Sequence, residues 1–125
     1  MREIKFRAWD KKKRAMLWDD DFVISEGKPV SVFGGEIDFR IDGILMQFTG
    51  LRDKNGKEIY EGDILRTGIS GFKTVVDYRE GMFCFDPDEE GDRRHALMMI
   101  LDPKYKVEVI GNIYENPELL NPVKN

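Results

Sequence analysis

The chain has 125 residues, 41% hydrophobic and 35% charged, with a formal net charge of −4 and a single cysteine. That length fits one domain burying roughly two thirds of the surface its unfolded form exposes, while a lone Cys84 excludes an intrachain disulfide and points to a reducing compartment or at least to a fold independent of redox state. Charges at alternate positions in the opening segment leave no apolar core for a secretion signal, and the longest apolar run, 96–101, falls far short of the roughly 20 residues a membrane helix needs; the expected setting is the cytoplasm.

Apolar alternation with period two over short runs dominates the chain, the pattern of strands with one buried face. Ile4, Phe6 and Ala8 alternate with Glu3, Lys5 and Arg7, a turn follows over 10–14, and Ala15, Met16, Leu17 and Trp18 complete an opening hairpin. Short strands are expected over 22–24 and 30–33, separated by the breaker Gly27-Lys28-Pro29. Ile37, Phe39 and Ile41 alternate with charged neighbours, and the run 44–49 reads as a more deeply buried strand. Asn55-Gly56 supplies the positive φ of a tight turn. Glu61-Gly62-Asp63 and the segment 68–71 turn the chain again, and Phe72, Thr74, Val76 and Tyr78 then alternate as one strand before Gly81 opens 82–85. The close spacing of these turns predicts an SH3-like small barrel over about 59–114.

Two segments allow short helices. The stretch 93–101 holds good helix formers ahead of Pro103, although a buried strand fits it as well. In the tail, Asn116 stands at an N-cap position and Pro117 at the first helical position, which predicts one helical turn. The expected fold class is therefore mainly β, a small SH3-like pseudo-barrel with an N-terminal hairpin region and at most one or two short helices. No linker or repeat divides 1–125, and any subdivision falls into 1–50 and 59–125.

Catalytic and cofactor chemistry finds little support. Gly68-Ile69-Ser70-Gly71 begins like a nucleophile elbow, but Phe72 replaces the closing glycine, so a turn is the better reading. Cys84 between Phe83 and Phe85 reads as an inert core thiol. One histidine, His95, and one cysteine are too few for a zinc site. Acids at Asp86, Asp88, Glu90 and Asp92 with Gly91 echo a calcium loop, yet Leu97 stands where a bidentate glutamate belongs; a solvated acidic loop is expected. Phosphate-cradling glycine motifs are missing, and no cofactor is expected.

One binding constellation is worth testing. Trp9 and Trp18 flank the basic run Lys11, Lys12, Lys13 and Arg14, and aromatic rings beside such a tip could stack bases while the cations meet phosphate. Against this, hairpin tips are commonly lysine-rich, flanking aromatics commonly pack across strands, and Asp19-Asp20-Asp21 follows closely. Arg93-Arg94-His95 is a second small basic element, beside the acidic loop.

Three blocks carry a resemblance. Ile4-Lys5-Phe6-Arg7-Ala8-Trp9-Asp10, Met46-Gln47-Phe48-Thr49-Gly50-Leu51 continuing through Asp53-Lys54-Asn55-Gly56-Lys57-Glu58-Ile59-Tyr60-Glu61-Gly62-Asp63-Ile64, and Val109-Ile110-Gly111-Asn112-Ile113-Tyr114-Glu115-Asn116-Pro117-Glu118-Leu119-Leu120 together resemble the YopX family of temperate phages and prophages, in order and spacing. The resemblance implies a mainly β pseudo-barrel, a bacterial cytoplasmic setting and homo-oligomerisation. It implies no activity and transfers no catalytic or binding residue. The expected function is a non-enzymatic accessory protein that binds a host or phage protein, with a nucleic-acid-associated role through the basic tip as the alternative.

Overall fold

A computed structural model describes residues 3–33, 36–38, 41–68, 71–79, 81–85, 95–97 and 102–120. The chain folds as two compact units, 1–48 and 49–125, and the described residues are almost entirely strand and turn.

In the first unit, β1 (Phe6–Asp10) pairs antiparallel with β2 (Ala15–Leu17) on one side and with β6 (Gly43–Arg52) on the other. Asp10 makes the connecting turn close. Its Oδ1 accepts from the backbone N–H of Lys12 at 3.0 Å and Lys13 at 3.2 Å, its carbonyl accepts from Arg14 at 2.8 Å, and Arg14 takes φ 53°. This is the local pairing that lets a short polar side chain replace ladder partners in a turn. β3 (Val23–Ser25) and β4 (Lys28–Phe33) form a second hairpin through Glu26 and Gly27, both at positive φ, and β5 (Glu36–Asp38) pairs with the far half of β4. Pro29 therefore lies inside a strand and does not break the chain. Among the described residues β5 pairs with β4 only from Ser31 onward, so no described neighbour on that side calls for the N–H that Pro29 lacks.

β6 runs on into the second unit. There, β7 (Glu58–Tyr60) is followed by β8 (Asp63–Arg66), which lies between β13 (Glu108–Asn112) and β9 (Lys73–Val75), while β10 (Asp77–Arg79), β11 (Met82–Phe85) and β12 (His95–Ala96) form a separate sheet. The alternating run 72–78, expected as one strand, is cut at Val76. Val76 donates to the Asp63 carbonyl and accepts from Gly62 N–H, both at 2.9 Å, so the chain leaves one sheet and enters another at that residue. Ile59, Leu65, Val76, Phe85, Leu97 and Val107, drawn from these successive segments, pack into one buried cluster. Sheets sharing a single core in this way are what a small, sharply cornered β fold requires.

The two helix expectations meet different outcomes. In 93–101, His95–Ala96 is a strand on β11 and Leu97 is helical, while 93–94 and 98–101 lie outside the described residues. The tail turn is a 3-10 helix, Pro117–Leu119, and Asn116 does not cap it: its Oδ1 accepts from Asn112 N–H at 3.2 Å. A second 3-10 turn, Pro103–Tyr105, is capped by the Asp102 carboxylate.

Candidate functional site

The basic hairpin tip is exposed from Lys11 through Arg14, and Lys11 Nζ stands 4.0 Å from Asp42 Oδ1. Its two flanking tryptophans are not equivalent. Trp9 is buried opposite Met16 in the β1–β2 ladder and opposite Ile44 on β6, so its ring is part of the core. Trp18 is 47% exposed but lies beyond the far end of β2, where the Arg7 guanidinium sits 5.8 Å from its ring centroid. Four cations thus gather at one end of the hairpin and the exposed indole stands at the other. A continuous stacking platform beside the basic tip is not assembled, although its cations remain accessible to a phosphate backbone.

Exposed apolar side chains offer a different surface. In the first unit Trp18, Val23 and Ile24 are 44–47% exposed within seven residues of chain, and β3, which carries the last two, is an edge strand. In the second unit Tyr78 and Met82 are exposed on the β10–β11 hairpin, with Tyr78 packed edge-on against Phe83. Scattered apolar exposure needs no explanation, but contiguous groups mark interaction surfaces.

The polar residues of the sequence blocks have intramolecular work. Asp53 accepts three backbone N–H groups, those of Asn55 at 2.8 Å and Lys57 at 2.9 Å on Oδ1 and that of Val109 at 2.9 Å on Oδ2. Gly56 completes the same turn at φ +80°, a backbone conformation open to glycine at little cost. Asp63, 2% exposed, accepts Tyr60 N–H, and Asn112 Oδ1 accepts Tyr114 and Glu115 N–H while its Nδ2 donates to Glu115. A Cβ at Gly111 would stand 2.5 Å from Asn116 Oδ1, so the residue beneath that amide must lack a side chain. The second and third blocks are joined directly: Asp53 accepts from Val109, Ile113 donates to Gly62, and Asp63 faces Asn112 across the ladder. Sequence reasoning found the Asn55-Gly56 turn but missed Asp53 as its anchor; an aspartate two residues ahead of Asn-Gly was the available signal.

Chemically, the charged groups on this surface form ion pairs. Arg66 Nη2 lies 2.6 Å from Glu108 Oε1, and Lys54 lies 4.0 Å from Oε2. The Arg66 hydrogen bond and then the Lys54 charge hold the Glu108 carboxyl below its ordinary value. Cys84 is buried at 1% exposure, as its strand pattern implied. No group of three or more metal-ligating side chains gathers among the described residues. The acidic stretch 86–92 and the basic Arg93-Arg94 lie outside them.

The family model for YopX protein matches residues 5–121. The chain belongs to the YopX family. Among solved structures, that of protein EF1440 from Enterococcus faecalis is similar to it at 32% identity and a TM-score of 0.66, covering 97% of this chain and 100% of the other. The structure of YopX from Bacillus subtilis, at 24% identity and a TM-score of 0.62 over 97% of this chain and 100% of that one, shares its fold. No curated protein matches the chain. Among the described residues of this YopX-family chain, no helix is long and apolar enough to cross a membrane.

Proposed function

We propose that this YopX-family chain is a non-enzymatic accessory protein of a phage or prophage that works in the bacterial cytoplasm by binding another protein. One observation carries the reading: Asp10, Asp53, Asp63 and Asn112, the polar residues of its distinctive blocks, are buried and bonded to backbone N–H groups, whereas apolar Val23 and Ile24 face solvent on an edge strand. Residues committed to holding turns have no lone pair arranged around a substrate. Exposed apolar side chains on a strand edge suit a partner that extends the sheet and fills side-chain pockets.

The test is affinity capture from the bacterial host with the full chain and with an Ile24→Asp variant of unchanged fold. The expected outcome is a host or phage protein retained by the first and lost by the second. Equal recovery with both chains, or no protein specific to either, rejects the reading. The nucleic-acid alternative keeps only the accessible basic tip as support, since Trp9 is in the core.

A further inference from the structure

Asn55 precedes a glycine, whereas Asn112 precedes Ile113 and both Asn116 and Asn121 precede prolines. The backbone nitrogen that follows an asparagine can attack its side-chain Cγ, and glycine, without a Cβ, hinders that approach least. Proline has no N–H to give up and cannot react in this way. Asn55 and Gly56 are exposed, and the hydrogen bond that Asn55 donates to Asp53 comes from its backbone. Its carboxamide makes no hydrogen bond among the described residues, so Cγ is open to attack.

The turn withholds the nitrogen. Gly56 N–H donates to the Asp53 carbonyl at 3.0 Å, which makes Lys54 and Asn55 the central pair of a β-turn. Asn55 keeps a negative φ, so the turn is type I, and the ψ of its second central residue is about 0°. Ring closure needs the Gly56 nitrogen swung beside Asn55 Cβ, and at that ψ it points about 120° away. Three further bonds hold the turn in this form: Asp53 Oδ1 accepts from Asn55 N–H at 2.8 Å and Lys57 N–H at 2.9 Å, and Asp53 N–H donates to the Lys57 carbonyl at 2.9 Å. Asp53 is itself buried and fixed to β13 through Val109 N–H.

We propose that Asn55 is a latent modification site, kept unreacted by the Asp53 turn and converted to aspartyl and isoaspartyl forms when that turn opens. Gly56 N bonds to Asn55 Cγ, the Cγ–NH2 bond breaks, and ammonia leaves with the proton that Gly56 N gives up. Water then adds to one carbonyl of the cyclic imide and a C–N bond breaks. Opening on one side leaves aspartate in an unchanged main chain; opening on the other leaves isoaspartate, with the main chain running through the former side chain. Both products place a new carboxylate close to that of Asp53, where like charges oppose each other. The isoaspartyl form also lengthens the main chain by a methylene inside a turn whose ends Asp53 and Lys57 fix, so the bonds listed above do not all re-form. Because Asp53 serves this turn and β13 together, the modification loosens the join between the second and third sequence blocks. The inference goes beyond protein binding and is independent of it, since it involves no partner.

The experiment incubates the full chain at neutral pH and physiological temperature and follows conversion at Asn55 by peptide mass mapping. Beside it stand an acetylated, amidated peptide of residues 50–60 and an Asp53→Ala chain. The peptide should convert fastest and the folded wild type at least about tenfold more slowly, because its reaction waits on local opening. The Asp53→Ala chain should fall between them, several times faster than wild type. Wild type in the urea concentration that lowers its stability to that of the variant separates local from global opening, and it should remain slower than the variant. A wild-type chain that converts as fast as the peptide overturns the proposal, and that comparison needs no variant. So does an Asp53→Ala chain that converts no faster than wild type, or only as fast as wild type in urea.

Discussion

Asp53 shows how one carboxylate can carry a sequence block. Both of its oxygens are committed to backbone N–H groups, two inside its own turn and one on β13, 56 residues away. Charged acceptors make stronger bonds than neutral ones, and truncation would leave three donors without their acceptor, those of exposed Asn55 and Lys57 and that of half-buried Val109 on β13. Asp53→Ala should therefore lower the unfolding free energy by roughly 2–4 kcal/mol. Asp10→Ala is the contrasting case, because the Lys12 and Lys13 it serves are exposed and water replaces the lost acceptor; a loss of about 1 kcal/mol is expected there. Urea unfolding of the two variants measures the ranking, and equal losses would mean that the link to β13 adds nothing. At this scale the sequence was half legible. Asn55-Gly56 announced a turn through its own backbone preference, but the Val109 bond depends on tertiary placement that no local pattern encodes.

The β8–β13 pairing joins the second and third sequence blocks, and a titratable group sits at its outer end. Glu108 faces Arg66 directly across the ladder, with Lys54 nearby, and its carboxyl is held below the ordinary value of 4.5, first by the Arg66 hydrogen bond. A carboxyl with a folded pKa below its unfolded one adds stability that is complete above the unfolded value and fades as pH falls through the folded one. The difference in urea midpoint between wild type and Glu108→Gln should thus be constant from pH 6 to pH 8 and should shrink below about pH 4.5. A difference that grows on acidification would reverse the sign of the argument. Elements themselves were read well where alternation and turn residues agreed, as in β1, β6 and β11. They were misread where tertiary contacts cut a regular pattern. Thr74, Val76 and Tyr78 alternate cleanly, yet the Gly62 and Asp63 backbone captures Val76 and divides the run between two sheets. Asn116 had the right type and place for a cap, but Asn112 N–H competes for its side chain and wins.

Across the whole chain, charge and topology pull the functional readings apart. Their flanking positions in the chain suggest Trp9 and Trp18 as a pair around the basic tip, and register shows otherwise: Trp9 lies within β1 against Met16, while Trp18 lies past the end of β2. Burial of a particular ring depends on what covers its face, which alternation alone does not specify. What remains for nucleic acid is a tip of four cations on a chain of net charge −4, with one of the four already near Asp42. Counterion release from at most four phosphate contacts gives a log–log salt slope no steeper than about −4 on duplex DNA, and such binding fades as salt approaches physiological strength. Single strands should fare no better, because the stacking that adds about 1–3 kcal/mol per base needs an accessible ring beside the backbone track. Labelled single- and double-stranded DNA titrated across a salt series should accordingly show weak retention at low salt and none at about 150 mM. Retention at that strength, lost on reversing Lys12 and Lys13, would restore the tip as a nucleic-acid surface and displace the protein-binding role proposed above.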